Sequence, residues 1–376
     1  MPLAPPREGE PREFHSRPCA RDQATIGDPE QLVWSYIKHM SVDEVADGIL
    51  ERSHKVTSKK SRETIIKNLK LYIDQAFEFY EAARAAKANT APLFYYYSFL
   101  NLAKALCEIR HPGFHEIRES YRHGVSWRPN TQFTVSMWSE SVNLVSRGVW
   151  HVLCEATRQQ ECHIPNPCTL RVRDLFSLNA ETEIEYEDTY NRPSRLVELH
   201  DPQVLSDSDE REIWLQFSVR RENLKELRLS RPKFLELITT NDITYRQVRS
   251  TDPDLWMFEL EHPKRIPTAH EGDLEELVEP EIRAMNLFTS LEADEISYAV
   301  PIQTSLPMRL PQVMVLYSLL FWLGSLVRYD PHSVARLQDE EYWVLIDGFM
   351  NQSRRWLLEL FEWELYQCET TLHSVR

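Results

Sequence analysis

The chain has 376 residues, 43 of them basic and 58 acidic, for a formal net charge of −15. That balance excludes a protein that coats DNA through general positive charge, while leaving room for a cleft with its own basic lining. The 9 glycines are widely spread, the closest two being Gly113 and Gly124, so no G-x-G-x-x-G, G-x-x-x-x-G-K-[ST] or G-x-S-x-G can be written. The sequence forms of the dinucleotide fingerprint, the P-loop and the nucleophile elbow are thereby excluded.

Residues 1–28 are rich in Pro, Arg and Glu and lack periodicity, which predicts a mobile tail or an arm laid on the surface. An N-terminal helical region is expected over 29–168. It opens with two short amphipathic helices between Pro29 and Glu51. Ser61 to Lys87 follows as a long helix, because Ile65, Leu69, Tyr72, Ile73, Ala76, Phe77 and Tyr80 recur at three- and four-residue steps. Ser61 is its expected N-cap. After Asn89-Thr90-Ala91-Pro92, a helix from Pro92 to Ile109 is apolar almost all round, which predicts a central place in a bundle. His111-Pro112-Gly113 ends it. The stretch to Pro129 reads as a loop or short helix dense in Arg and His, and a third helix is expected over Val142 to Arg158.

A β-containing middle region is expected over 169–300. Thr169-Leu-Arg-Val-Arg, Glu183-Ile-Glu-Tyr-Glu, Ile213 to Val219, Asp242 to Val248 and Leu255 to Leu260 read as strands, with a turn at Thr240-Asn241-Asp242. Residues 265–300 are acidic and turn-rich. A C-terminal helical region, 301–376, holds helices over Gln312–Tyr329, Asp339–Met350 and Arg354–Glu369, and packs on the N-terminal one. The apolar run Val313 to Val327 falls short of the ~20 residues of a spanning helix and reads as a buried core helix. The expected class is α+β, predominantly α, with a helical bundle core built from both chain ends. The 10 tryptophans read first as packing groups, and the 6 cysteines, in a chain starting without a secretory signal, as reduced thiols of a cytoplasmic protein.

Certain words carry a resemblance. Pro92-Leu-Phe-Tyr-Tyr-Tyr-Ser-Phe-Leu-Asn-Leu-Ala-Lys-Ala resembles the P-L-x-x-Y-Y-x-x-x-N-L-x-K-A helix of the YaaC-like family of bacterial proteins. Leu320 to Pro331 resembles that family's L-x-x-L-S-x-L-x-R-Y-x-P, with Gly324 where Ser is commoner. His123-Gly124, followed by Val125 where Leu is usual, and Gly148-Val149-Trp150 resemble two further words. This resemblance implies a bacterial protein but no settled activity. The Tyr-rich helix followed by His-Gly is also similar to HEPN domains, helical bundles that are often ribonucleases with an Arg-x4–6-His signature.

Arg118-Glu-Ser-Tyr-Arg-His123 fits that signature. His123 would exchange a proton with the ribose 2′-OH or the leaving oxygen, and Arg118 would stabilise phosphorane charge. The spacing also occurs at Arg110/His115, Arg158/His163, Arg195/His200 and Arg265/His270, so position carries the argument. Arg110, His111, His115, Arg118, Arg122, His123 and Arg128 form an electropositive island suited to a phosphate, or else pair with the surplus carboxylates. A second island holds Lys55, Lys59, Lys60, Arg62, Lys67 and Lys70. Asn101 and Lys104 interrupt an apolar helix, either as ligand-binding groups or as a backbone-bonded amide and a snorkelling lysine. Arg328 either caps its helix end or reaches the same site. His151, Cys154, Cys162, His163 and Cys168 lack the spacing of a zinc signature, so no metal and no cofactor are expected.

The leading expectation is a cytoplasmic protein with a nucleotide- or RNA-binding helical site, acting as a HEPN-type, metal-independent ribonuclease effector in phage defence or stress. Arg118 and His123 would be catalytic, with Asn101, Lys104, Arg110, Arg122 and Arg328 binding the ligand. One alternative is a non-catalytic interaction subunit of a defence or regulatory complex, and another a small-molecule nucleotide-binding enzyme. A protein partner is compatible with the sequence, a membrane is not expected, and the oligomeric state is left open.

Overall fold

A computed structural model describes residues 3–12, 28–52, 58–111, 114–117, 122–128, 137–145, 147–158, 168–239, 243–267, 277–292, 295–306 and 308–370. In chain order the elements are strand β1 (Glu10–Arg12), helices α1 (Pro29–His39), α2 (Asp43–Arg52), α3 (Lys59–Ala85) and α4 (Ala91–Arg110), and strands β2 (Val125–Ser126) and β3 (Ser141–Leu144). Then come α5 (Val149–Arg158), β4 (Cys168–Arg171), α6 (Val172–Phe176), α7 (Glu183–Tyr190), β5 (Leu196–Asp207) and β6 (Glu212–Arg220). Next are α8 (Arg221–Glu226), α9 (Arg231–Ile238), β7 (Tyr245–Val248), β8 (Leu255–Leu260), β9 (Lys264–Arg265), α10 (Glu279–Met285), β10 (Phe288–Glu292) and β11 (Glu295–Pro301). The last four are α11 (Gln312–Tyr329), α12 (Pro331–Leu337), α13 (Trp343–Gly348) and α14 (Arg354–Thr370). Two compact units result, one from residues 1–20 with 193–302 and one from 21–192 with 303–376.

The first unit is built on an eight-stranded antiparallel sheet in the order β10-β11-β5-β6-β8-β7, with β1 paired to β5 and β9 to β6. Alternation along β6 sends Ile213, Leu215, Phe217 and Val219 into a core with Phe258 and with Phe234 and Ile238 of α9. The opposite face carries Trp214, Gln216, Arg246 and Glu259. Here the chain's first residues lie across the sheet. Ala4 O accepts from Arg249 N at 2.9 Å, Arg7 reaches Glu259, and a Cβ on Gly9 would stand 2.6 Å from the Trp214 ring. The Glu259 carboxylate is fully buried and accepts from Arg246 at 2.8 and 2.6 Å and from the Arg7 amide at 3.1 Å.

The second unit is helical around α4. Helix α3 lies along α4, and α5, α11 and α14 also pack on it. Trp34 of α1 meets Phe77 and Tyr80 of α3 edge-on, both with centroids at 5.3 Å. The start of α1 is closed by Asp28, whose carboxylate accepts the Glu30 amide at 3.1 Å. Helix α11 is long and apolar enough to cross a membrane, yet 83% of it is buried inside the protein, as a core helix would be. It approaches α4 closely at Gly324, where a Cβ would lie 3.0 Å from Tyr96 Cβ. A small three-stranded sheet, β2-β3-β4, completes the unit.

The expectation of a helical bundle core with a subordinate β region is overturned. The protein is α+β, and the large antiparallel sheet has a hydrophobic core of its own. Strand β5 escaped notice because His200-Asp201-Pro202 interrupts its pattern. The structure absorbs that interruption as an irregularity between His200 and Gln203, with Asp201 at φ +48°. The acidic stretch before residue 300 contains the β10–β11 hairpin. Glu183-Ile-Glu-Tyr-Glu is helix α7 rather than a strand: Tyr186 and Tyr190 are buried four apart, while Ile184 is 74% exposed. The third long helix starts at Val149 rather than Val142, because Ser141–Leu144 pairs between β2 and β4. Ser58 rather than Ser61 precedes α3. The expected turn at residues 240–242 lies outside the described residues.

Candidate functional site

Two glycines fix the backbone beneath the site. Gly124 has φ +81° and Gly148 φ +144°, both in territory that side-chain-bearing residues avoid. They also cross in contact: a Cβ on Gly148 would overlap the backbone N and Cα of Gly124. The crossing delivers carbonyls to the open amides at the start of α5. Val149 N donates to Arg122 O at 2.8 Å and Trp150 N to His123 O at 3.0 Å. Trp150 is buried and donates its indole N–H to Ser318 Oγ of α11 at 3.0 Å, while Ser318 donates to Met314 O at 2.7 Å. The backbone of His123 is thus tied through α5 to α11.

The imidazole of His123 enters a cleft of about 360 Å³ between α4 and α11. Leu93, Tyr96 and Tyr97 line it from α4, and Phe321, Gly324, Ser325, Arg328 and Tyr329 from α11. His123, Val125, Ser126 and Trp127 close it. Tyr96 Oη lies 2.5 Å from His123 Nδ1. Phe321 packs on both rings, with centroids 5.4 Å from Tyr96 and 6.3 Å from His123. Arg328 donates from Nη1 to Tyr97 Oη at 3.0 Å and lies over the Tyr329 ring at 5.1 Å. Trp127 is held from behind by Glu140, whose Oε2 accepts its indole N–H at 2.8 Å and that of Trp322 at 3.1 Å.

Burial lowers the pKa of His123 below its ordinary value, and the charges of Lys104 and Arg328 lower it further. The ring is therefore neutral at pH 7. Burial, helped by the neighbouring phenol of Tyr317, raises the pKa of Tyr96 well above that of a free phenol, so its hydroxyl keeps its proton. The direction of the Tyr96–Nδ1 hydrogen bond is set by the tautomer: when Tyr96 donates, the imidazole carries its own proton on Nε2. Among the described lining residues there is one fixed cation, Arg328, and no carboxylate. The cleft can stack a planar ring, donate hydrogen bonds and hold a modest negative charge.

His123 and Arg328, two of the candidate residues, both line this cleft. Lys104 does not line it, but its charge reaches His123; burial lowers its own pKa, and it faces the Tyr72 ring at 5.5 Å. Asn101 is buried and donates to Tyr97 O at 3.0 Å, bracing the helix turn that presents Tyr97. Arg110 is engaged elsewhere: it donates to Ala156 O at 2.5 Å and Glu364 O at 2.6 Å, and pairs with the Glu364 carboxylate at 2.9 Å, joining α4, α5 and α14. Arg122 is exposed and contributes its carbonyl. Arg118 lies outside the described residues, as do Cys162, His163 and Lys55. In the second basic island Arg62 pairs with Asp47 at 3.1 Å. Among the described residues no cluster of metal-ligating side chains occurs.

Tyr96, Tyr97, Trp127, Phe321, Tyr329 and the supporting Glu140 were missed as site residues. A signal for three existed: the paired tyrosines of the first family-like word are Tyr96 and Tyr97, and Tyr329 follows Arg328 in the second. In a helix apolar all round they read as core.

Comparison with known proteins is consistent with those words. The model of the family described as YaaC-like Protein matches residues 38–365, a span that includes every cleft residue. No match was found among curated proteins or among solved structures. The match covers most of the chain, which belongs to the YaaC-like family.

Proposed function

We propose that the protein binds a nucleotide unit, free or within an RNA strand, in the cleft between α4 and α11. The observation that supports this reading most is the composition of the cleft. Tyr96, Tyr97, Trp127, Phe321 and Tyr329 surround a neutral imidazole donor and one guanidinium, with no described carboxylate to repel an anion. Aromatic walls suit a base, and the Arg328 fork suits a phosphate. A role in cleaving RNA would need a second group beside His123, and Arg118 lies outside the described residues. Binding is therefore the function proposed here.

Calorimetric titration of the purified protein with the four nucleoside monophosphates and a short oligoribonucleotide tests this. At least one is expected to bind with Kd below about 1 mM, and Arg328→Ala should weaken it about tenfold or more, equal to 1.4 kcal/mol. Absence of binding by every member of that set, or unchanged binding by the variant, overturns the reading.

A further inference from the structure

Building on the nucleotide reading of the cleft, we infer that its ligand carries a single phosphate: a nucleoside monophosphate or the phosphorylated end of an RNA strand, not a di- or triphosphate.

Charge is the first ground. Arg328 is the one fixed cation among the described lining residues. Its Nη1 is committed to the Tyr97 hydroxyl at 3.0 Å and its face to Tyr329 at 5.1 Å. The remaining N–H groups of one guanidinium match one phosphate in a two-point hold. His123 adds a neutral donor rather than a second charge. Each further phosphate would bring negative charge with no second cation among the described lining residues, in a protein of net charge −15.

The second ground is what has become of the backbone amides. Polyphosphates are commonly cradled by helix N-termini and glycine-rich loops, with Mg²⁺ held by carboxylates. Leu93, in the first turn of α4, lines the cleft, and that turn's amides are engaged, Ala91 N by Lys87 O at 2.9 Å and Leu93 N by Thr90 O at 3.1 Å, as are the Val149 and Trp150 amides of α5 by the carbonyls of Arg122 and His123. Just beyond Arg328 and Tyr329, the Ser333 amide is likewise taken, by the Asp330 carboxylate at 3.1 Å. No described lining residue can offer Mg²⁺ a carboxylate.

Size is the third. At about 360 Å³ the cleft stands near the lower end of the range for small-molecule sites, roughly 300–1,000 Å³.

The test is calorimetric titration of the full chain. It uses each nucleoside and its mono-, di- and triphosphate, with and without Mg²⁺, and a short RNA with and without a 5′-phosphate. The monophosphate that binds best is expected to bind at least about tenfold more tightly than its nucleoside and its triphosphate. Arg328→Ala should bring it to the nucleoside's level, and Arg328→Lys should retain part of the difference. A phosphorylated RNA that outbinds every mononucleotide assigns the strand end, and the reverse order assigns the free nucleotide. A triphosphate or diphosphate that binds as tightly as the monophosphate overturns this inference while the nucleotide reading stands. Failure of all nucleosides, nucleotides and RNAs to bind overturns both.

Discussion

The Tyr96 hydroxyl lies 2.5 Å from His123 Nδ1, at the inner wall of a cleft that also holds Arg328. The pairing fixes the imidazole's orientation, and burial with two nearby cations keeps the ring uncharged. Its folded-state pKa is therefore below its unfolded value of about 6.5, so the unfolded chain binds more protons as pH falls past that value. The stability associated with the neutral ring is present above that pH and lost on acidification toward the folded pKa. Nuclear magnetic resonance titration should place the His123 pKa below 6.5. His123→Gln should flatten the fall of melting temperature between about pH 7 and pH 5. A bound phosphate acts in the opposite sense on the ring, so ligand affinity should rise as pH drops through the same window. A His123 pKa at or above the ordinary value would contradict this account.

Tyr96→Phe removes one hydroxyl and leaves Nδ1 without its partner. The cost expected from a lost buried hydrogen bond is about 1–3 kcal/mol, read as a lower denaturation midpoint at unchanged slope. The His123 resonance should broaden or shift as the ring loses its anchor.

At Gly148 the prediction is severe. A methyl group there meets both a φ of +144° and the backbone of Gly124. Gly148→Ala should cost more than about 3 kcal/mol and release the start of α5 to hydrogen exchange. Normal protection of the Val149 and Trp150 amides in that variant would refute the crossing.

Glu140 accepts two buried indole N–H groups on one oxygen, from Trp127 and Trp322. Glu140→Ala strands both donors and should cost about 2 kcal/mol or more. Glu140→Gln keeps an acceptor oxygen and should cost less. Because Trp127 lines the cleft and Trp322 does not, the alanine variant should also weaken ligand binding.

In the sheet unit, Glu259→Ala leaves Arg246 and Arg7 facing a site that no longer has its carboxylate. Because the arginines left behind are part-exposed, at 36% for Arg246 and 22% for Arg7, the cost is that of the lost hydrogen bonds, about 1–3 kcal/mol. The sharper readout is proteolysis of the first residues, which Arg7 and β1 hold against the sheet. Those residues should be cut faster in Glu259→Ala and in Arg7→Ala than in the parent protein.

Much of this was legible in the residues. The apolar stripe of α3, the all-round apolar surface of α4 and the run of α11 each fixed a helix, because burial imposes one period over many residues. His123 and Arg328 were marked by type in apolar or basic surroundings, and they meet. The sheet was underweighted because its longest strand is broken by Asp201-Pro202 and because half of its pairing is between distant segments. Strand β1 joins Val204, Leu205 and Ser206 from almost two hundred positions away, a relationship no local pattern encodes. Alternation in Glu183-Ile-Glu-Tyr-Glu misled because Tyr186 and Tyr190 satisfy the helical period equally well. Arg110 showed the limit of reading charge alone. A cation in a basic island spends itself on two carbonyls and one carboxylate, and geometry alone reveals it.

The contact of Gly124 with Gly148 makes two distant points of the chain one point in space. Everything between them is an excursion with both feet on the same spot. That excursion is itself pinned, by the pairing of β2 with β3 and by Glu140 behind Trp127. A side chain on Gly148 would unseat Gly124, and one on Gly124 would crowd Trp150 and press on Gly148. In lineages that share this architecture, the two glycines should be inherited or lost together.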